Sequence, residues 1–274
     1  MTTTSNRPFI IDRSNWLEHA AASVDRSLWT AVVPAAGKGT RLGYDQPKIL
    51  FPVAGRPILA WLLDLLLPVC ETVVLVLSPD GCVPVEAEME RIAPGRCRIA
   101  IQHSATGMGD AVDIGAAGVS TLHTAVIWGD QVAVRPASVD CVLRLHQGPL
   151  NPDLTVPTVI RESPYIHFER DGEGRITGLL QAREGDRMPS RGESDTGFFC
   201  FRTECLRRLI VDMRGTPSSV GAGTGEFNFL PVIPLAAAAG RYVLTPRLMD
   251  LAETVGINSK ADAAQLEPYL RQLI

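Results

Sequence analysis

Short apolar runs alternate with amphipathic segments through the first half of this chain of 274 residues. Runs rich in valine, leucine and isoleucine have the length of buried strands, and they predict strands at residues 30–35, 72–77, 98–102 and 124–128. The segments between these runs predict helices at residues 58–67, 85–92 and 110–119. This alternation predicts a Rossmann-like α/β fold, with a mostly parallel mixed sheet and helices on both faces.

The second half of the chain has a different pattern. Three strand-like segments are separated by turns rich in glycine and aspartate, with little predicted helix between them, and they lie at residues 155–161, 175–181 and 197–202. We therefore expect a small antiparallel extension beside the main sheet. The segment at 164–170 predicts one arm of a hairpin, with His167 and Arg170 on the surface; contact of these two residues with substrate is the alternative. Helices return at residues 229–240 and 261–273.

The domain organisation follows from where the first long strand begins. Residues 1–28 precede it and are predicted to form an N-terminal appendage, in which a short helix at 16–24 follows a cap at 12–14. Residues 29–274 have a length that suits one large α/β domain. No internal repeat is evident in the sequence.

Composition and charge narrow the possible partners. Hydrophobic residues make up 46% of the chain and charged residues 20%, which is typical of a soluble globular protein. The net charge of −4 gives no reason to expect nucleic acid or an anionic membrane as a partner. The apolar stretch at 62–69 is interrupted by Asp64 and Pro68, and the N-terminus lacks the pattern of an export signal, so we expect a cytoplasmic protein. The six cysteines have no zinc or redox spacing, which favours reduced, structural thiols.

The loop after the first strand is the strongest candidate for chemistry. It has glycines at 37, 39 and 43, and three cations, Lys38, Arg41 and Lys48, within eleven residues. A strand that leads into a glycine-rich, cationic turn presents backbone N–H groups and positive charge to a triphosphate. The spacing fits neither the dinucleotide fingerprint nor the ATPase phosphate loop. From these residues alone, a tight connection with solvated cations remains an alternative.

The wider segment resembles a known signature. Gly-x-Gly-Thr-Arg-Leu, then Pro47-Lys48, then Pro-Val-Ala-Gly-Arg-Pro-Ile at 52–58 resembles the nucleotidyltransferases that make nucleotide sugars, above all the uridylyltransferase domain of bacterial N-acetylglucosamine-1-phosphate uridylyltransferase. The resemblance implies the nucleotide-diphospho-sugar transferase fold. It also implies that Lys38, Arg41 and Lys48 are catalytic and that the loop wraps the nucleotide through Ala35, Ala36, Gly37, Gly39 and Thr40. The hexapeptide repeats of the acetyltransferase half of that enzyme are absent from this sequence.

Two oxygen-bearing residues are candidate metal ligands. Asp130 follows an apolar strand, at the edge where open α/β sheets bind ligands, and a carboxylate there can hold Mg²⁺. The resemblance assigns this role to the Asp of the Gly129-Asp130 pair. It also assigns the second protein ligand to Asn258, because Gly-Ile-Asn at 256–258 is similar to the Gly-Val-Asn of the family. The alternatives are a turn or helix cap for Asp130 and a helix N-cap for Asn258.

A third segment is similar to the base-recognition turn of the family. Gly107 and Gly109 allow close approach to a nucleobase, because neither has a Cβ. The family usually has a Gln two residues before the first glycine, where this chain has Ala105. Gln102 lies three residues further back, and the sequence leaves open whether it reaches the base. UTP, CTP and dTTP therefore all remain candidate triphosphates.

The acceptor side combines matches with substitutions. Asp195-Thr196 resembles the Asn-Thr of the family, Gln181 stands where the family has a sugar-binding Glu, and Glu226 matches the Glu of Gly-Glu-Tyr-Tyr. These four residues are the candidate acceptor contacts. Because a buried polar site rejects substrates that leave its groups unpaired, the acceptor need not be N-acetylglucosamine phosphate.

Together these features predict a Mg²⁺-dependent nucleotidyltransferase. It would couple a nucleoside triphosphate to a phosphorylated small molecule, with a sugar 1-phosphate favoured, and release pyrophosphate. One alternative is a cytidylyl- or guanylyltransferase that acts on a non-sugar phosphate or phosphonate. Another is a non-catalytic nucleotide sensor, although such proteins usually lose the loop Arg, the Lys or the metal Asp, and this chain has all three. A homo-oligomer is possible.

Overall fold

The computed structural model describes residues 7–37 and 39–273. Within them the strands are β1 (Ile10–Asp12), β2 (Trp29–Pro34), β3 (Pro52–Val53), β4 (Arg56–Pro57), β5 (Thr72–Leu77), β6 (Cys97–Ile101), β7 (His123–Ile127), β8 (Leu154–Thr155), β9 (Thr158–Glu162), β10 (Ile166–Arg170), β11 (Ile176–Gln181), β12 (Arg191–Asp195), β13 (Phe198–Arg202) and β14 (Val243–Arg247). The α-helices are α1 (Ile58–Leu66), α2 (Cys82–Ile92), α3 (Met108–Ala116), α4 (Pro136–His146), α5 (Thr203–Arg214), α6 (Val232–Ala238) and α7 (Lys260–Leu270). Short 3-10 helices include Trp16–His19, Thr40–Leu42, Lys48–Leu50 and Leu251–Thr254.

One eight-stranded sheet organises the molecule, in the order β1-β14-β8-β13-β7-β2-β5-β6. All neighbouring pairs are parallel except the two made by β13, which is antiparallel to β7 and β8. Alternate residues of β2 face opposite sides: Ala31 and Val33 pack in the core beneath α1, α2, α4 and α7, and Val32 packs in the core beneath α3, α5 and α6. The predicted fold class is confirmed.

The N-terminal segment differs from its prediction. β1 adds a parallel edge strand to β14, so residues 10–12 belong to the main sheet. The predicted helix at 16–24 is wrong beyond the 3-10 turn Trp16–His19. Ala21 instead forms two hydrogen bonds with Arg144 near the end of α4: its N–H donates to the Arg144 backbone carbonyl, and its own carbonyl accepts from the Arg144 side chain at Nε. The boundary between residues 28 and 29 stays a prediction.

The predicted antiparallel extension is present, but one of the strands predicted for it lies in the main sheet. β9 pairs with β12 and β10 with β11, both antiparallel, whereas the strand predicted at 197–202 is β13 of the main sheet. The expectation of little helix between these segments is confirmed, since the described residues from 155 to 202 contain only the 3-10 turn Ala182–Glu184, whereas the flanking helices α4 and α5 were not predicted. The buried face of α5 has a helical period, with Leu206, Leu209, Ile210 and Met213 beneath it. None of the helices in the described part of the chain has the length and apolar character needed to cross a membrane.

The surface position expected for Arg170 is also wrong. Its side chain is 13% exposed and forms two hydrogen bonds with the carboxylate of Glu193, which is 5% exposed. Thr158 donates to the same carboxylate. Arg170 therefore joins the hairpin β10–β11 to the pair β9–β12 by a buried, satisfied charge pair, in which loss of one partner leaves the other unpaired.

Two buried histidines make the stability of the fold depend on pH. The rings of His123 and His146 are 4.9 Å apart and both pack against Trp29. Burial, with a contribution from Arg202, lowers the pKa of His123 to about 4, and burial holds the pKa of His146 well below its usual value. The unfolded chain takes up these protons near pH 6.5, whereas the folded chain stays neutral. Stability should therefore fall as the pH falls from about 6.5 towards 4.

We expect the variant His123→Phe to flatten this dependence, since it keeps an aromatic ring against Trp29. Between pH 6.5 and 5.5 the wild type should lose about 1 kcal/mol more unfolding free energy than the variant. Urea unfolding at the two pH values measures the difference. Other groups that titrate, including buried carboxyls, are common to both proteins and cancel in the comparison. Equal losses in the two proteins would contradict the assignment.

Candidate active site

The loop after β2 folds back on itself at the carboxyl edge of the sheet. Leu42 and Ile49 are buried and anchor it to the core. Gly39 has a φ of +64°, and a Cβ placed on it would lie 2.9 Å from the Cβ of Lys48. Only a glycine allows this contact without a shift of the backbone. Lys38, one of the three residues predicted to be catalytic, lies outside the described residues.

Four predicted residues converge at this edge. Lys48 Nζ donates to Asp130 Oδ2 at 2.6 Å and to Asn258 Oδ1 at 3.0 Å. Arg41 Nη2 donates to the same Asn258 oxygen at 3.3 Å. The side chains of Lys48 and Asp130 are 17% and 19% exposed, so the ion pair is accessible to a ligand and only partly screened by water.

Local backbone contacts fix the position of Asp130. Gly129 N–H donates to Pro34 O, and a Cβ on Gly129 would lie 2.6 Å from that oxygen, so the end of β7 approaches the end of β2 closely. The carbonyl of Asp130 accepts from Ile257 N–H at 3.0 Å. The adjoining helix α4 begins at Pro136 with Arg135 at its N-cap, so Asp130 does not cap it.

The N-cap alternative for Asn258 is wrong. Helix α7 is capped by Ser259, whose side chain accepts from Asp262 N–H, and Asp262 accepts in return from Ser259 N–H. This reciprocal capping box satisfies the helix end. The side chain of Asn258 is therefore left to contact Lys48 and Arg41.

The two side-chain oxygens that accept hydrogen bonds from Lys48 form a ligand set that fits Mg²⁺. A carboxylate of Asp130 and an amide oxygen of Asn258 are hard ligands, and Mg²⁺ commonly takes one or two protein oxygens together with water and substrate phosphates. They already share one cation, the Lys48 ammonium. No cluster of three or more His, Cys, Asp or Glu side chains suited to a metal occurs within residues 7–37 and 39–273. The pair Asp130 and Asn258 stays the predicted metal site.

The predicted base turn is held against a second segment. A Cβ on Gly107, whose φ is +122°, would lie 2.4 Å from Phe227 O. Gly109 N–H donates to that same oxygen at 2.9 Å, and Phe227 N–H donates to Thr106 O at 2.8 Å. Both glycines are thus required by close packing on Phe227.

Gln102 braces this turn from within. It is 6% exposed, and its Nε2 donates to Gly107 O at 3.0 Å and to Asp110 Oδ2 at 3.3 Å. Asp110 also accepts from Thr106 and Arg214. Burial alone would raise the pKa of Asp110, but the hydrogen bonds from Thr106, Arg214 and Gln102 lower it overall. Sequence reasoning missed Arg214, which is 104 residues from Asp110 and carries no motif.

Two cavities meet at Asp130. The larger, about 290 Å³, is lined by all four predicted acceptor contacts and by both predicted metal ligands. The smaller, about 150 Å³, is lined by Gly37 and Lys48 from the loop. Asp130, Met108 and Trp128 line both. The nucleotide side and the acceptor side predicted from the sequence thus share one boundary.

The predicted acceptor residues already have local partners. Gln181 Oε1 accepts from Asn228 Nδ2 at 2.9 Å, and Glu226 pairs with Arg183 at 2.9 Å. Asp195 Oδ1 accepts from Gly197 N–H at 2.8 Å, a contact that an asparagine oxygen could also make. Burial raises the pKa of Asp195 to about 6.

Further residues that line the larger cavity were not predicted as contacts. They include Trp128, Gln131, Arg161 and Asn228. Trp128 and Asn228 adjoin the predicted Asp130 and Glu226 motifs and could have been inferred from them. Arg161 lies on β9 in a segment that matches no motif, so the sequence offered no signal for it.

A profile of the MobA-like NTP transferase domain matches residues 31–196, more than half of the chain. The chain belongs to this family of nucleotidyltransferases, and the resemblance inferred from the loop is confirmed. Among its relatives is the bifunctional protein GlmU of Desulfitobacterium hafniense strain Y51, which is 30% identical over 251 residues. The match covers 90% of this chain and 53% of that protein, so the chain spans about half the length of the curated relatives it matches.

Solved structures share the fold at low identity. The 4-diphosphocytidyl-2C-methyl-D-erythritol synthase of Anaerococcus prevotii has a TM-score of 0.65 at 13% identity, and the match covers 90% of this chain and 98% of that one. The inositol-1-phosphate CTP transferase of T. maritima has a TM-score of 0.65 at 16% identity, with 90% and 95% covered. At these identities the similarity establishes the fold alone.

Proposed function

We propose that the protein transfers a nucleotidyl group from a nucleoside triphosphate to a phosphorylated small molecule, with a sugar 1-phosphate as the favoured acceptor class. The observation that carries this proposal is the position of Lys48 Nζ, which contacts both Asp130 and Asn258 where the two cavities meet. A cation and two oxygen ligands at the boundary between a loop-lined cavity and an acceptor cavity suit transfer between two phosphates.

The reaction is an in-line displacement. A phosphate oxygen of the acceptor attacks the α-phosphorus, a new P–O bond forms, and the bond from the α-phosphorus to the bridging oxygen breaks, so that pyrophosphate leaves with the electron pair. Positioning and charge neutralisation supply most of the rate in such chemistry. The acceptor phosphate is ionised at neutral pH, so the reaction needs no general base.

The chain's own residues take distinct roles in this proposal. Lys48 holds the α-phosphate and the acceptor phosphate together, and Arg41 with Lys38 neutralises the leaving pyrophosphate. Asp130 and Asn258 would hold Mg²⁺, which supplies Lewis-acid stabilisation of the charge on the transferred phosphoryl group. The base would contact the turn at Gly107 and Gly109, which packs closely on Phe227 and which Gln102 braces.

The nucleobase and the acceptor are left to experiment. Ala105 replaces the residue by which the resembled family reads uracil, so CTP and dTTP remain candidates beside UTP. A cytidylyl- or guanylyltransferase acting on a non-sugar phosphate or phosphonate is the second candidate function. It is favoured by the substitutions at Gln181 and Asp195, which alter the acceptor contacts while the loop and metal pair are kept.

A pyrophosphate-release assay tests the proposal. The purified protein with Mg²⁺ should release pyrophosphate from one of the four triphosphates only when a phosphorylated acceptor is present. The panel should include sugar 1-phosphates, phosphoalcohols and phosphonates, so that it separates the two candidate functions. Tight nucleotide binding with no acceptor-dependent release across the panel would instead favour a nucleotide sensor.

A further inference from the structure

Three polar side-chain atoms of residues that line the larger cavity are buried and lack hydrogen-bond partners within residues 7–37 and 39–273. They are Gln131 Oε1, Thr196 Oγ1 and Arg161 Nε. Buried polar groups in folded proteins are nearly always paired, so three such residues around one cavity are candidates to rearrange and pair with a bound ligand. The chemistry of these three side chains indicates which groups such a ligand would carry. An amide oxygen accepts from a hydroxyl donor, a threonine hydroxyl pairs with another hydroxyl, and a guanidinium pairs with an anion.

Arg161 is the most informative of the three. None of the ion pairs among the described residues includes it, and the carboxylate next to it in sequence, Glu162, pairs with Arg191 instead. A partly buried guanidinium without an anion is unfavourable, and its planar fork matches a carboxylate or phosphate.

The carboxylates that line the cavity are engaged elsewhere. Their partners are Lys48 for Asp130, Arg183 for Glu226, Thr224 and Gly223 N–H for Glu184, and Gly197 N–H for Asp195. The anion that pairs with Arg161 must therefore come from the ligand.

Arg161 and the proposed phosphate-binding residue Lys48 line different cavities. Lys48 lines the smaller cavity, whereas Arg161 lines the larger one. On β9 it lies three residues beyond Thr158, whose partner in the pairing with β12 is Asp195. That spacing places the backbone of Arg161 about 10 Å along the strand from the position where Thr158 pairs with Asp195.

We propose that the acceptor is a hydroxylated compound that carries, besides its attacking phosphate, a second anionic group, a carboxylate or a second phosphate, which Arg161 binds. The proposal rests on the proposed function and specifies its acceptor. Gln131 and Thr196 would pair with hydroxyl groups of the same compound. An exposed pair such as Arg183 with Glu226 contributes little by itself and can rearrange around the ligand.

Matched acceptors test this directly. The probes are glucose 1-phosphate, glucuronic acid 1-phosphate and glucose 1,6-bisphosphate, with the corresponding galactose compounds, so that a carboxylate and a phosphate are compared with the neutral parent. The wild type should use at least one acidic probe with a kcat/KM about tenfold or more above that of its neutral parent. The variant Arg161→Gln should lose most of this preference, and Arg161→Lys should recover only part of it.

Arg191→Gln is the matched control, because Arg191 lies on the neighbouring strand β12 and its pair with Glu162 is exposed. It should leave the preference unchanged. Thermal unfolding in the presence of each probe adds a readout that does not need turnover: acidic probes should raise the unfolding midpoint of the wild type more than neutral ones, and this excess should vanish in Arg161→Gln.

The outcomes are distinguishable. If no probe and no other acceptor supports pyrophosphate release, the proposed function fails, and the binding comparison still decides the role of Arg161. If neutral probes react and bind as well as the acidic ones in both sugar series, the inference is overturned and the proposed function stands. If Arg161→Gln lowers the use of both kinds equally, Arg161 does not select a second anion, and the inference is again overturned.

Discussion

Lys48→Ala should lower kcat/KM for pyrophosphate release by about 10²–10³-fold or more, the range seen when one preorganised donor to a developing charge is removed. The physical reason is that its ammonium lies at the junction of the two cavities, where it would neutralise both phosphates as they approach each other. Lys48→Arg should recover little, because a planar guanidinium cannot replace a compact ammonium between Asp130 and Asn258. The measurement is initial rate against the concentration of each substrate.

Lys260→Ala provides a matched control. Lys260 is exposed at the start of α7, and its Nζ would lie 3.8 Å from a Cβ placed on Gly43 of the loop. The variant therefore tests whether loss of any positive charge near the loop lowers activity. The activity of Lys260→Ala should stay within about twofold of the wild type, because exposed charges are screened by salt. Both variants should unfold at nearly the wild-type temperature. A Lys48→Ala protein that is folded and active would remove Lys48 from the mechanism.

Asp130→Asn should lower activity nearly as much as Lys48→Ala, by about 10²–10³-fold in kcat/KM at low Mg²⁺. This loss is equivalent to about 3–4 kcal/mol of transition-state stabilisation. The substitution keeps the size of the side chain and one oxygen but removes the negative charge that favours a divalent cation. We therefore expect the Mg²⁺ concentration for half-maximal activity to rise. A Mg²⁺ titration of the rate measures it.

Asp64→Asn is the control for Asp130, since Asp64 is on α1, is 56% exposed and pairs only with Arg56 among the described residues. Its Mg²⁺ dependence should match the wild type. The double variant of Lys48 and Asp130 gives a second check: residues that act as one unit are not additive, so it should cost little more than either single change. An unchanged Mg²⁺ dependence in Asp130→Asn would show that the cation is held elsewhere.

Local patterns sufficed for the first half of the sheet. The order β2-α1-β5-α2-β6-α3-β7 follows from buried hydrophobic runs and amphipathic helices, each of which is visible within its own segment. The strand β14 was missed because Pro246 argues against an inner strand, although it lies between β1 and β8. β1 has three residues and depends on β14, so nothing in its own sequence predicts it.

The candidate site could likewise be predicted only in part from the sequence. The motifs brought Arg41, Lys48, Asp130 and Asn258 to attention, and the structure brings these four side chains together, while their roles stay predictions. What the sequence could not supply depends on distant packing. The brace from Arg214 to the base turn and the unpaired guanidinium of Arg161 arise only when α5 and β9 reach their final positions.

The distance along the chain between the parts of this site has a consequence for its assembly. Asn258 follows Lys48 by 210 residues in the sequence. The backbone hydrogen bond from Ile257 N–H to Asp130 O can form only after this C-terminal segment packs against the sheet. During synthesis the loop, the predicted base turn and Asp130 would emerge from the ribosome well before Asn258, the second residue of the proposed metal pair. A nascent chain would thus fold much of the sheet while it still lacks the proposed ligand pair, and completion of the proposed site would coincide with the docking of α7.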